Sequence, residues 1–118
     1  MNAAHALGRR GEDLAAEHLS AQGFAILSRN WRCPAGELDL VVTDGSALIV
    51  CEVKTRSSSD YGAPAEAITR TKARHIRSAT HAWLRRYRIG ALPIRFDVLS
   101  ILWPADDQPS VEHLRGAF

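Results

Sequence analysis

The stretch ELDLVVTDGSALIVCEVKTR, residues Glu37 to Arg56, decides the fold. From Glu37 to Thr43 the side chains alternate with the two-residue period of a strand. Asp44-Gly45 interrupts the run as a hairpin turn does. Leu48 to Thr55 is a second strand, apolar enough to be central. Alternation puts Leu38, Leu40 and Val42 on one face of the first strand, with Glu37, Asp39, Val41 and Thr43 on the other. On the second strand Val50, Glu52 and Lys54 share a face, opposite Ile49, Cys51, Val53 and Thr55. Two registers are open. A loop of Asp44-Gly45 sets Asp39 opposite Val50 and Glu37 opposite Glu52, and a loop of Gly45-Ser46 sets Asp39 opposite Glu52. Either brings Asp39 within a direct or diagonal cross-strand distance of Glu52, roughly 5–8 Å.

Two carboxylates at that range repel each other unless something neutralises them. Glu52 is the sharper case, because LIVCEVK otherwise reads as a buried strand and a lone buried charge is costly. Lys54, the nearest cation on the same face, offers a salt bridge. A hard divalent cation is the other solution, since Mg²⁺ takes one or two carboxylates together with waters and a substrate phosphate. In such a site a water is activated toward phosphorus, and Lys54 would orient it or steady the developing charge. A buried ion-pair network without chemistry is the plainer alternative.

Upstream, Ala4 to Gln22 reads as a helix closed by Gly23. Leu7, Gly11, Leu14, Ala15, His18 and Leu19 form its apolar arc, and Arg9, Arg10, Asp13 and Glu17 its solvated face. Glu12 lies at the edge of the arc. It is either a snorkelling side chain or a further carboxylate leaning toward the strand pair. His18 reads as a hydrogen-bonded core histidine. Phe24 to Trp31 is a strand, and Pro34 and Gly36 mark a turn. Downstream, Arg56 to Pro64 is a loop, followed by a helix from about Ala65 to Tyr87 with a candidate break near Thr69. Pro93 to Leu102 is a strand, Pro104 to Pro109 a polar turn, and Val111 to Phe118 a tail of no clear type. Helices flanking a mixed sheet make an α/β or α+β domain.

Charge is unevenly spread. The net formal charge is +2, yet from Ala67 to Phe96 there are eight basic residues and no acidic one. Arg70, Arg74, Arg77, His81, Arg85 and Arg88 cluster on one side of the second helix, away from Ile68, Ile76, Ala79, Trp83 and Tyr87. Arginine forks suit phosphates, so Arg70, Arg74, Arg77, Arg85 and Arg88, together with Lys72, are candidate nucleic-acid contacts. An acidic protein partner is the alternative. Lys72 falls inside the apolar stripe near the helix start, where it must reach past the core edge or meet an acid. Trp31 and Tyr61 are candidates to stack on bases, with packing as the plainer reading. Asp97 shares a strand face with Arg95 and reads as a structural ion pair.

The 118 residues, 46% hydrophobic and 24% charged, fit one globular domain spanning 1–118 and exclude a disordered or fibrous chain. The longest apolar run, Ala47 to Cys51, falls far short of the roughly 20 residues of a membrane span. No apolar leader segment is seen, so no membrane association or secretion is expected. Cys33 and Cys51 form no CxxC, which argues against a disulfide framework or structural zinc and for a cytoplasmic protein with free thiols.

Five blocks in order, GRRGEDLAAEHL (Gly8 to Leu19), SRNWRCPAGELDL (Ser28 to Leu40), LIVCEVKTR (Leu48 to Arg56), YGAPAEAITRTKARHI (Tyr61 to Ile76) and RFDVLSI (Arg95 to Ile101), cover nearly the whole chain. Together they resemble the YraN-like endonuclease family, which is related to archaeal Holliday-junction resolvases within the PD-(D/E)xK restriction-endonuclease-like superfamily. The resemblance implies a three-layer fold with a central mixed sheet and a Mg²⁺-dependent DNA endonuclease, with Mn²⁺ as a substitute. It assigns Asp39 and Glu52 as metal ligands, Lys54 as the motif lysine and Glu12 as the helix glutamate completing the acidic site. Lys72 matches a lysine of the fourth block. Branched or structured DNA is the implied substrate class, and a homodimer would accompany junction cutting. Leu38 stands where the superfamily's name puts proline, and Cys51 where a bulkier apolar residue is usual. A nucleic-acid-binding module that keeps the fold without turnover is the alternative function.

Overall fold

The computed structural model describes residues 3–58 and 68–118, and among these the elements run α1 (Ala3–Ala21), β1 (Ala25–Cys33), β2 (Gly36–Thr43), β3 (Leu48–Arg56), α2 (Arg70–Arg86), β4 (Ile94–Leu102) and β5 (Ser110–Leu114). The strands form one mixed sheet in the order β1-β2-β3-β4-β5. Neighbours are antiparallel except β3 and β4, which run parallel. A parallel pair needs a crossover long enough to return the chain to the same sheet edge, and α2 lies in that crossover. Among the described residues no helix is long and apolar enough to cross a membrane.

The central hairpin takes the register in which Asp39 faces Glu52. Leu40 pairs with Cys51, Val42 with Ile49 and Thr43 with Leu48, leaving Asp44 to Ala47 as the loop. Asp44 Oδ1 accepts hydrogen bonds from the Ser46 N–H, the Ser46 hydroxyl and the Ala47 N–H at 2.8–3.0 Å. Those bonds, led by the Ser46 N–H, pull the Asp44 carboxyl down to about 2. Gly45 takes φ +97°, a left-handed conformation that glycine adopts without penalty.

The sheet is covered on both sides, which gives three layers. On one face Leu40, Val42, Ile49, Cys51, Val53, Leu99 and Ile101 bury Ala15, Ala16 and Leu19 of α1. On the other, Leu38, Val41, Leu48, Val50 and Phe96 bury Ile76, Ala79 and Trp83 of α2. Leu38 therefore corrects the simple alternation, because it packs beneath α2 while Leu40 and Val42 pack beneath α1. The switch falls where the β2–β3 ladder stops and the strand no longer keeps one pleat. Trp31 also packs against the α2-side cluster. Tyr61 lies outside the described residues.

Two further boundaries refine the sequence reading. The segment left untyped contains β5, which pairs antiparallel with β4 from Val98↔Leu114 to Leu102↔Ser110. α2 starts at Arg70, at the candidate break near Thr69, and the expected start near Ala65 lies outside the described residues. Thr69 is the N-cap, its hydroxyl accepting the Lys72 N–H at 3.0 Å. On β4, Asp97 forms the structural pair expected of it: Arg95 Nε and a terminal guanidinium nitrogen each donate to its carboxylate at 2.8 Å. His113 Nε2 lies 2.7 Å from Oδ2, and the Gly116 N–H donates to Oδ1 at 2.9 Å.

Gly11 explains how α1 lies so close to the sheet. A Cβ at this position would stand 1.8 Å from Thr55 Oγ1 and 2.8 Å from Thr55 Cβ. A mid-helix glycine costs roughly 1 kcal/mol of propensity. Here it buys contact with β3 and sets Glu12 at the lip of the sheet.

Candidate functional site

The β2–β3 ladder ends at Leu40↔Cys51, while β2 stays paired with β1 down to Gly36 and β3 stays paired with β4 up to Arg56. The sheet therefore forks beyond Leu40. Asp39 is the first residue past the last rung, and its Oδ2 accepts the Val53 N–H at 2.9 Å. A side-chain oxygen thus takes the donor that a backbone carbonyl would otherwise satisfy.

Glu52, across the fork, has a side chain only 6% exposed. Two lysines meet its Oε1. Lys72 Nζ, from the first turn of α2, is 2.6 Å away, and Lys54 Nζ, two residues along β3, is 3.8 Å away. Lys72 thus turns in from the apolar stripe to an acid, one of the two outcomes its place in the sequence left open. The electrostatics of the group follow from this crowding. Burial, then the charge of Glu52 and more weakly that of Glu12, push the Asp39 carboxyl up to about 7, against the pull of the Val53 N–H. Burial, then the neighbouring Lys72 ammonium, hold Lys54 below its ordinary value. Burial works hardest against Lys72, but its hydrogen bond to Glu52, its contact with Lys54 and the charges of Glu52 and Asp39 together outweigh that and raise it.

Two clefts meet at Asp39. One, of about 310 Å³, is lined by Gly36, Glu37, Asp39, Glu52 and, from the start of α2, Thr69, Thr71, Lys72, His75 and Ile76. The other, of about 450 Å³, lies between α1 and the β1–β2 hairpin, with Arg9, Glu12, Asn30, Arg32, Glu37 and Asp39 in its wall. Glu12 reaches this second cleft and is felt at Asp39 as negative charge. Among the described residues no three histidine, cysteine, aspartate or glutamate side chains gather tightly enough to hold a metal ion. Asp39 and Glu52 make a pair, and Glu12 stands apart from it.

Most of the remaining residues singled out lie on α2; Arg88 does not, because the helix ends at Arg86 with Tyr87 as its C-cap and Arg88 takes φ +55°. Arg70, Arg74, Arg77, His81, Arg85 and Arg88 are all exposed. Arg77 also stacks over the Phe96 ring, 4.5 Å from its centroid, and so fastens the helix to β4. His18 is half-buried near the end of α1, 3.2 Å from the Gln22 side chain. Several site residues escaped sequence reasoning. Asn30 lines the α1-side cleft with φ +50°, a left-handed conformation that asparagine tolerates better than most residues. Gly11 carried a usable signal, a glycine inside an otherwise good helix. Nothing in the sequence marked His75 or Thr71.

The pattern of the uncharacterised protein family UPF0102 matches residues 11–101. A UPF0102 protein of Frankia casuarinae is 53% identical over 118 residues, covering all of both chains. One from Acidothermus cellulolyticus is 46% identical over 127 aligned positions, covering 99% of this chain and 96% of its own. One from Clavibacter michiganensis is 47% identical over 111 residues, 94% of each chain.

Proposed function

The chain belongs to the uncharacterised protein family UPF0102, and on that premise we propose that it is a metal-dependent DNA endonuclease whose site is the forked end of the β2–β3 hairpin. The relatives' names state no reaction, so the reading rests on the site. The observation that carries it is the Asp39–Glu52 pair, two facing carboxylates in a partly desolvated cleft with two lysines beside them. That arrangement is what the resemblance to YraN-like endonucleases implies for these positions.

The residues fit a hard divalent ion, Mg²⁺ or Mn²⁺. Burial, and then the facing charge of Glu52, push Asp39 up to about 7, and a bound cation would favour its charged form again. Such an ion needs only one or two carboxylates from the protein. Asp39 and Glu52 would hold it, with Glu12 adding charge from the α1 side. When bound it would supply Lewis-acid polarisation of the phosphodiester and of the attacking water. Lys54, beside the same oxygen of Glu52, would orient the water or donate to charge developing on the phosphoryl oxygens. The arginines of α2 would grip the backbone. Branched or structured DNA is the substrate class we assign, with a homodimer where two strands are cut, in the cytoplasm, consistent with the free thiols of Cys33 and Cys51.

Labelled four-way junction, flap, single-stranded and linear duplex DNA, offered side by side with Mg²⁺ or Mn²⁺, test the reading. Cutting should vanish in EDTA and fall by at least about a thousandfold in Glu52→Gln. The acid-free face of α2 favours a second reading, a binding module without turnover. Salt-sensitive DNA binding by a folded protein that cuts none of the four substrates would establish that reading instead.

A further inference from the structure

One carboxylate oxygen of Glu52 is engaged before any ligand arrives. Its Oε1 has Lys72 Nζ at 2.6 Å and Lys54 Nζ at 3.8 Å. A divalent ion binding the same carboxylate would stand against an ammonium already held on it. Like charges that close repel strongly in a half-buried cleft, where water screens them poorly. One of the cations must therefore leave.

The two lysines are not equally free to do so. Lys54 extends from β3, whose backbone is paired with β4 along the whole segment, and its side chain is 27% exposed. Lys72 stands on the first turn of α2, its side chain is 39% exposed, and it lines a cleft of about 310 Å³ into which a four-carbon stem can turn. Its backbone N–H stays fixed on Thr69 Oγ1, so the ammonium can swing without unwinding the helix. We infer that Lys72 is the resident counter-ion of the site: it and a divalent cation are mutually exclusive partners of Glu52, and loading the metal turns the Lys72 ammonium out into the cleft. This deepens the nuclease reading and rests on its metal site. Lys72 lowers the site's affinity for free cations and keeps Glu52 compensated when none is bound. Removing a competitor strengthens the binding of what it competes with.

The test uses the intact chain and Mg²⁺ alone, without DNA. Mg²⁺ affinity is measured by calorimetry for the wild type, Lys72→Gln, Lys72→Arg and Glu52→Gln, with folding checked by circular dichroism. The Lys72 ammonium is followed by nitrogen-detected NMR and identified by its loss in Lys72→Gln. Lys72→Gln should bind Mg²⁺ about tenfold tighter, and Lys72→Arg should restore the wild-type value. The Lys72 signal should move or vanish as Mg²⁺ saturates the wild type, and Glu52→Gln should abolish the Mg²⁺ response. Mg²⁺ binding with an unmoved Lys72 signal and an unchanged affinity in Lys72→Gln overturns this inference and leaves the nuclease reading standing. No Mg²⁺ or Mn²⁺ binding by either wild type or Lys72→Gln overturns both.

Discussion

Asp97 and Asp39 are aspartates of the same sheet, two strands apart, and their surroundings differ in kind. Asp97 is fully buried and completely answered: a bidentate Arg95, His113 and the Gly116 N–H converge on it, tying β4 to β5 and the turn that follows. Although burial alone would raise it, Arg95 and the other partners hold Asp97 below the usual carboxylate range. Asp39 has one backbone N–H, faces a second carboxylate, and is pushed up to about 7. The first is a finished clasp. The second is left short of positive charge beside an open cleft, which is the state of a site built for something that arrives later.

The contrast can be broken most directly at Asp97. Asp97→Ala strands Arg95 and His113, so urea unfolding should register a loss of about 3 kcal/mol or more. Mg²⁺ affinity should stay unchanged in that variant if it still folds. A loss below about 1 kcal/mol would mean that Asp97 is no more structural than Asp39.

The pH dependences should have opposite signs. Asp39 is raised, and an unfolded aspartate titrates near 3.9. Between that pH and about 7 the unfolded chain releases its proton while the folded one keeps it. Asp39 therefore erodes stability as pH rises through this window. Asp97 is lowered, so its contribution is complete above about 4 and is lost as pH falls through its folded value. Asp39→Asn, which can still accept from Val53, should gain about 1–2 kcal/mol at pH 8 and flatten the decline. Asp97→Asn should weaken the acid limb. Urea midpoints from pH 3 to 8 decide both.

A third measurement sharpens the difference by supplying the missing charge. Mg²⁺ at ten times its dissociation constant should stabilise the wild type by about 1.4 kcal/mol and Glu52→Gln by nothing measurable. The smallest effect belongs to the arginine face. Neutralising Arg74 or Arg85 should reduce the log–log salt slope of DNA binding by about 0.9 each, leaving stability within about 0.5 kcal/mol.

Much of the site was legible because charge inside an apolar run is conspicuous. Glu52 within LIVCEVK and Lys72 within an apolar helical stripe each stood out, and each has the other as its partner. The carboxylate pair followed from strand alternation and a turn. What could not be read depends on departures from periodicity. Leu38 changes face where the ladder stops, and no residue type announces that a ladder will stop. β5 is five residues, too short to stand out by periodicity, that become a strand by pairing with β4. The approach of α1 depends on what lies opposite Gly11, which is Thr55, more than forty residues on.

Asp39's hydrogen bond to Val53 makes that amide a reporter. Its proton is shielded by a titratable side chain and not by a ladder carbonyl, so its exchange with solvent is coupled to the state of the carboxylate. Amides on the continuous rungs, such as those joining Ile49 to Val42, should exchange at a rate indifferent to added cations. Deuterium uptake at Val53 would read occupancy of the fork one amide at a time, in the native protein and without a label.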